Sequence, residues 1–290
     1  MNKISVFFAD SKPFSQLVGL ALFLLLGFFA VVALQLVLPT PAPVTPEAVR
    51  VNLLWQGGSQ LLLFLLPSLA FAWLFHGRAV DFLKMDLRGR KWLLALVALV
   101  VLLLLMPIND WLAYWNKMWQ VGPLEPILRK QSEAAAELTE QLLSSDLVGD
   151  LLLQLLVVAL LPAVCEEMFF RGCLQQTMCR WFGNGHVAVV VASLVFSLAH
   201  GDIYGLVPRF VLGVLLGYCF MLSGSLLVNV CVHFFNNAIV VAAYFLYHRR
   251  LILLDPSEPL FFSWPLTIVC GVAALLLFMV YFAQKRQKRR

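Results

Sequence analysis

Charge is scarce in this 290-residue chain: 13% of its residues are Asp, Glu, Lys or Arg, against roughly 25% in a soluble domain. With 61% hydrophobic residues and a mean hydropathy of +0.87, that scarcity excludes both a disordered segment and a water-soluble globule. Paired cysteines are missing too. The six cysteines, Cys165, Cys173, Cys179, Cys219, Cys231 and Cys270, lie in or beside apolar runs and form no CxxC pair, so neither a disulfide framework nor a thiolate metal site is expected. They read as small apolar packing residues. No H-E-x-x-H spacing, internal repeat or low-complexity tract occurs. The net charge of +5 is distributed between apolar runs and not gathered into a basic stripe, which excludes a nucleic-acid partner and points to a lipid bilayer.

What the chain has in quantity is long apolar runs. Stretches approaching the ~20 residues needed to cross a hydrocarbon core recur at 18–38, 59–75, 92–107, 147–165, 187–199, 211–222, 226–247 and 260–283. The expected fold is therefore an all-α polytopic membrane bundle of about eight transmembrane helices. The first run exceeds a signal-peptide core and is followed by further spans, so it reads as an anchor. An even number of passes puts both termini on one side. Placing them inside collects fourteen of the twenty-one basic residues there, among them Lys3, Lys12, Arg78, Lys84, Arg88, Arg90, Lys91, Arg171, Arg180 and the tail from Lys285 to Arg290. The positive-inside rule then makes both termini cytoplasmic, in the plasma membrane of a bacterial cell.

Four regions follow. Residues 1–107 carry three plain hydrophobic spans and read as scaffold. Residues 108–146 hold an interfacial aromatic cluster, Trp111, Tyr114, Trp115 and Trp119, then a polar, helix-like run at 133–146, lying along the outer membrane surface or serving as a lid. Residues 147–247 should contain the chemistry, because there the apolar spans acquire polar residues. Residues 248–290 form a last span and a basic cytoplasmic tail.

Glu166 and Glu167 follow the run LLLQLLVVALLPAVC. A carboxylate in hydrocarbon costs at least ~2.5 kcal/mol, so two adjacent ones must be paired, protonated or hydrated, unless the helix has ended and both are solvated. Glu167 and Arg171 are four apart and share a helix face, which predicts an ion pair. Glu166 points away from that face without an intrahelical partner. His76, His186 and His248 sit at helix ends or in loops and read as solvated. His200 ends the run VAVVVASLVFSLA, with Phe196 four residues before it. His233 lies within LLVNVCVHFFNNAIVVAAYF, where Asn229, His233 and Asn237 recur at i, i+4 and i+8 beside Asn236. A lone intramembrane histidine is commonly a hydrogen-bonding partner between helices; two histidines, an unpaired glutamate and an asparagine ladder together ask for more. Counting from the turn at 183–185 puts Glu166 and His200 at similar depth, ~24–27 Å, but counting from the turn at 223–225 puts His233 only ~13 Å deep. Gly213 and Gly217 form a G-x-x-x-G spacing that permits close helix approach.

The series Glu166-Glu167-x-x-x-Arg171, Phe196-x-x-x-His200 and His233-x-x-x-Asn237, in this order in consecutive apolar spans, resembles the CPBP family of intramembrane proteases, which includes the CAAX prenyl endopeptidases and the lysostaphin-resistance (Abi) proteins. The resemblance covers residues 147–247, and no key position departs from the pattern. It implies an eight-helix bundle with a conical cavity opening to the cytoplasm. It implies Glu166 as the general base toward water, with His200 orienting or polarising that water. It implies His233 and Asn237 as the oxyanion pair, and Glu167 and Arg171 as structural or substrate-orienting residues beside Phe196.

Peptide hydrolysis needs a deprotonated water, a proton for the leaving amine and donors for the developing oxyanion, and these side chains can supply all three. The substrate would be a peptide or protein in, or lipidated onto, the membrane. No cofactor is required on this reading, although Glu166, His200 and His233 could instead hold a zinc ion. Rival readings are a non-catalytic membrane scaffold or immunity-type protein, and a proton-coupled transporter built on breaks at Pro162 and Pro208. The absence of a repeat between the two halves weighs against transport.

Overall fold

The computed structural model of the chain describes residues 8, 10–38, 41–42, 45–77, 79–86, 91–258 and 263–287. The basic residues Lys3, Arg78, Arg88, Arg90 and 288–290 lie outside the described residues, as do the side chains of Lys285 and Arg286. The regular structure of the described residues is all helix, with no strand among them. In chain order the helices are α1 (Pro13–Val37), α2 (Pro46–His76), the short α3 (Ala79–Leu83) and α4 (Lys91–Lys117). They continue with α5 (Glu125–Leu142), α6 (Val148–Phe182), α7 (Gly185–Leu198), α8 (Leu206–Ser223), α9 (Leu226–His248) and α10 (Trp264–Gln287).

Among the described residues six helices are long and apolar enough to cross a membrane, and the apolar stretches Gly185–Leu198 and Trp264–Val280 are shorter. Together they occupy the eight places where the sequence carries apolar runs. The chain is an integral membrane protein built as a polytopic helical bundle. Helix α5, polar and amphipathic, is not one of the spans.

Local sequence sets the boundaries. Thr45 caps α2 by accepting from the Ala48 N–H, with Pro46 in the first turn, where a missing N–H costs nothing. Gly183 (φ +64) and Gly224 (φ +61) end α6 and α8 in the left-handed conformation that side chains resist. Asn184 then caps α7 by accepting from the N–H groups of His186 and Val187.

Helix α6 departs from a regular α-helix. It is widened to π-helical hydrogen bonding over Leu155–Leu160 and Met168–Gln175. Pro162, between the two, has no N–H to give the carbonyl of Val158 four residues earlier. Such local widenings occur often at functional sites, and here they flank the two glutamates.

The helices assemble into one bundle. The main apolar core joins α1, α2, α6, α7 and α8 through residues such as Leu20, Phe71, Phe170, Ala192 and Phe220. A second core joins α4, α8, α9 and α10. The start of α1 and the end of α10 lie at one end of the bundle, where Phe14 packs at a tilt beside Trp181 (5.5 Å between centroids) and Arg180 donates to Gln16. At the opposite end Trp111 of α4 stacks on Trp264 of α10 (4.1 Å).

Candidate active site

The buried polar residues of α6 and α9 meet in the bundle interior, where Glu167 is the best connected. One carboxylate oxygen accepts from Arg171 (2.8 Å) and from His233 Nδ1 (2.9 Å); the other accepts from Asn229 (3.0 Å). Arg171 donates onward to the Gly213 carbonyl (3.0 Å), and its guanidinium lies 4.6 Å from the centre of the Phe196 ring. Asn229 also donates to the Leu216 carbonyl (2.7 Å). With relative exposures of 0% for Glu167 and 1% for Arg171, the ion pair read from the i, i+4 spacing exists in a dry environment, where each charge depends on the other.

Glu166, on the neighbouring face, is buried but far less engaged. Its Oε1 accepts from the Gln60 amide of α2 (3.2 Å). Its Oε2 lies 3.9 Å from His233 Nε2, beyond a direct hydrogen bond but suited to a shared water.

The His233 ring is oriented by its other nitrogen. Because the carboxylate of Glu167 can only accept, the neutral ring carries its proton on Nδ1 and leaves Nε2 as a bare acceptor facing Glu166. His200 is held in the same sense, its Nδ1 donating to the Phe196 carbonyl (2.9 Å). The donor expected of a neutral imidazole toward an oxyanion is therefore absent from both Nε2 atoms; either ring becomes a donor there only as imidazolium.

Phe196 connects the two histidines. Its ring meets His200 edge-on at 5.0 Å and His233 at 6.0 Å. His200 itself is exposed, just past the end of α7, and makes no hydrogen bond to Glu166, although Glu166, His233 and Arg209 are all within electrostatic reach. Asn237 lies apart from the cluster. Its amide donates to the Val158 carbonyl (3.4 Å), the group that Pro162 leaves without its helical partner, and its oxygen accepts from Asn236 (3.1 Å).

The depth of His233 differs from the count made along the sequence, and the reason is geometric. The turns at 183–185 and 223–225 are not level. The Leu226 N–H donates to the Lys84 carbonyl (3.1 Å), and a Cβ built on Gly172 would touch Leu226. Helix α9 therefore starts beside Gly172, about three turns short of the end of α6. From that level Glu166 is six residues along α6 and His233 seven along α9, which brings them together.

Sequence reasoning missed Gln60. The signal was present in the polar run Gln56, Gly57, Gly58, Ser59 and Gln60 inside an otherwise apolar span. As for a metal, no group of three or more His, Cys, Asp or Glu side chains is placed to hold an ion among the described residues. The trio Glu166, His200 and His233 does not form such a set among the described residues.

The α7–α8 loop that carries His200 lies toward the end of the bundle opposite the start of α1, and α5 packs over it. Arg129 of α5 stacks on the Tyr204 ring (4.7 Å), and Ser132 hydrogen-bonds Asp202. Burial raises the pKa of Asp202, but Arg209 (2.9 Å) together with its hydrogen bonds to Ser132 and the Tyr204 N–H holds it, on balance, below the ordinary carboxylate value.

The family model for the type II CAAX prenyl endopeptidase Rce1-like proteins matches residues 148–239, from the start of α6 to just past Asn237. No curated protein and no solved structure matches the chain.

Proposed function

We propose that the chain, whose residues 148–239 match the family model of the type II CAAX prenyl endopeptidase Rce1-like proteins, is an intramembrane endopeptidase in which Glu166 and His233 activate one water between them. The observation that carries this reading is the 3.9 Å separation of Glu166 Oε2 and His233 Nε2. Both atoms are acceptors, both side chains are buried, and Gln60 and Glu167 orient them from behind. A water bridging them donates one hydrogen to each and keeps a lone pair for the scissile carbonyl.

As the oxygen–carbon bond forms, the water proton passes to Glu166, and Glu166 returns it to the leaving nitrogen as the carbon–nitrogen bond breaks. As the intermediate collapses to the carboxylate, its remaining hydroxyl hydrogen passes to His233 Nε2, and Glu167 stabilises the imidazolium so formed. His200 orients the water or the carbonyl from the rim, with Phe196 fixing both rings. Asn237 completes the oxyanion site only after releasing Val158. Glu167 and Arg171 are structural.

The substrate is a peptide or protein held in the membrane or lipidated onto it. With cytoplasmic termini, as the basic residues indicate, the loop that carries His200 and the helix α5 packed on it lie on the extracytoplasmic side.

The test is cleavage of a quenched peptide ending in a prenylated Cys-a-a-X sequence, and of its unprenylated counterpart, by purified protein in liposomes. Cleavage of either that is lost in Glu166→Gln at unchanged protein level supports the proposal. Equal activity of wild type and Glu166→Gln, or no cleavage of any membrane peptide, would favour the scaffold reading.

A further inference from the structure

A polar cavity of about 560 Å³ opens at the end of the bundle where α1 begins, between the α2–α3 segment, the last turns of α6, the start of α7 and the end of α8. Lys84, Arg180, His76 and Gln175 line it, and among the described residues no carboxylate does. Neither Lys84 nor Arg180 belongs to an ion pair among the described residues. The Lys84 backbone is fixed by the bond from the Leu226 N–H and sits at φ +53, a left-handed conformation that side chains resist. Its ammonium lies over the Phe220 ring (5.5 Å). Arg180 uses one terminal nitrogen on Gln16 (2.8 Å) and Thr177 (3.0 Å), leaving its other N–H donors uncommitted.

Beside these cations are two buried polar atoms without partners, Gln175 Oε1 and His76 Nε2. Gln175 is only 5% exposed and spends its amide N–H on the Gly217 carbonyl (3.0 Å), so its oxygen remains as an acceptor. The cavity thus offers two positive charges and, next to them, a place for a hydroxyl or ammonium donor.

The level of the cavity identifies the ligand. Arg180 adjoins Trp181, which with Phe14 forms an exposed aromatic pair of the kind found at the headgroup layer. Basic pockets between membrane helices at this level suit anionic lipid headgroups. A peptide reaching here from Glu166 would have to cross ~13 Å along α6 through the packed side chains of Phe170, Arg171, Phe196 and Leu226, so the cavity is separate from the candidate active site.

We propose that this cavity binds the phosphate of an anionic glycerophospholipid, with Lys84 and Arg180 holding the charge and Gln175 accepting from a headgroup hydroxyl.

The experiment titrates delipidated full-length protein in neutral detergent with short-chain phosphatidylglycerol and short-chain phosphatidylcholine, read by native mass spectrometry. Two charges predict at least about tenfold tighter binding of phosphatidylglycerol, Lys84→Ala a loss of about fivefold, and Lys84→Ala/Arg180→Ala a loss of the preference. Lys130→Ala on α5 should change nothing. Arg180 also holds Gln16, so Lys84→Glu, which removes no hydrogen bond, reads the same preference if the double variant does not fold. Equal affinity for the two lipids, or an undiminished preference in Lys84→Glu, overturns the proposal. So does competition by inorganic phosphate, or by a peptide with a free C-terminal carboxylate, at the concentration of the lipid.

Discussion

Gln60 donates its side-chain amide to Glu166 across 106 sequence positions, at 3.2 Å. This bond ties a helix that reads as scaffold to the carboxylate proposed to activate water. A hydrogen bond to a charged group is worth ~1.5–3 kcal/mol, or about one to two orders of magnitude in rate if it sets the carboxylate's position. Gln60→Leu should therefore lower kcat by about 10–100-fold with little change in KM. Gln60→Glu should move the acid limb of the pH–rate profile upward, because a second carboxylate disfavours ionisation of the first. A purely structural role for Gln60 would change the melting temperature and leave that limb in place.

Glu166 and Glu167 are adjacent in sequence but should fail in different ways. Glu166→Gln retains size and keeps a partner for Gln60, so the protein should melt as wild type while cleavage falls by about 10³-fold. Glu167→Gln leaves the guanidinium of Arg171 buried without its counter-charge, which costs about 3–5 kcal/mol. The second variant should accumulate poorly and melt at lower temperature; Glu167→Gln/Arg171→Met, which removes both charges, should recover much of the loss. Thermal unfolding in detergent beside a cleavage assay separates the two outcomes.

How much of this was legible in the sequence depended on distance along the chain. The Glu167–Arg171 pair follows from helical spacing alone, and the bundle follows from apolar run length. The meeting of Glu166 and His233 did not follow, because it depends on where α9 begins relative to α6. That level is set by contacts of Leu226 with Lys84 and Gly172, which no local pattern encodes. Gln60 was hidden for the same reason: one amide in an apolar span is uninformative until the opposing helix is known. Asn237 shows the converse. Its register with His233 is correct, but Pro162, visible in the sequence as a helix break, supplies the carbonyl that its amide occupies.

Gly213 shows how closely the site is packed. A Cβ there would lie 3.0 Å from the Ser193 Cβ and 3.3 Å from the Phe196 ring, and the Gly213 carbonyl accepts from Arg171. Gly213→Ala should cost about 1–3 kcal/mol through overpacking and lower cleavage as well, because displacement of Phe196 moves both imidazoles. Gly58 in α2 is the control, since a Cβ there meets nothing within 4 Å. Gly58→Ala should be neutral or stabilising by up to ~1 kcal/mol. Equal melting temperatures for the two variants would show that close approach of α7 and α8 is not under strain at Gly213.

Asp202 makes the cover over the site sensitive to pH. Arg209 and the bonds from Ser132 and the Tyr204 N–H outweigh burial and hold its carboxyl below the ordinary value. A depressed acid stabilises the folded contact above its unfolded pKa and loses that contribution as pH falls through the folded value. The contact of Asp202 with Ser132 of α5 should thus be intact at neutral pH and weaken only below about pH 4. Hydrogen exchange over residues 125–142, corrected for intrinsic rates, should be flat from neutral to mildly acidic pH and then accelerate. In Asp202→Asn it should be fast already at neutral pH, with α6 and α9 still protected. Unchanged protection of α5 in that variant would mean that the Arg129–Tyr204 stacking suffices to hold the helix, and that Asp202 is not its pH-sensitive tether.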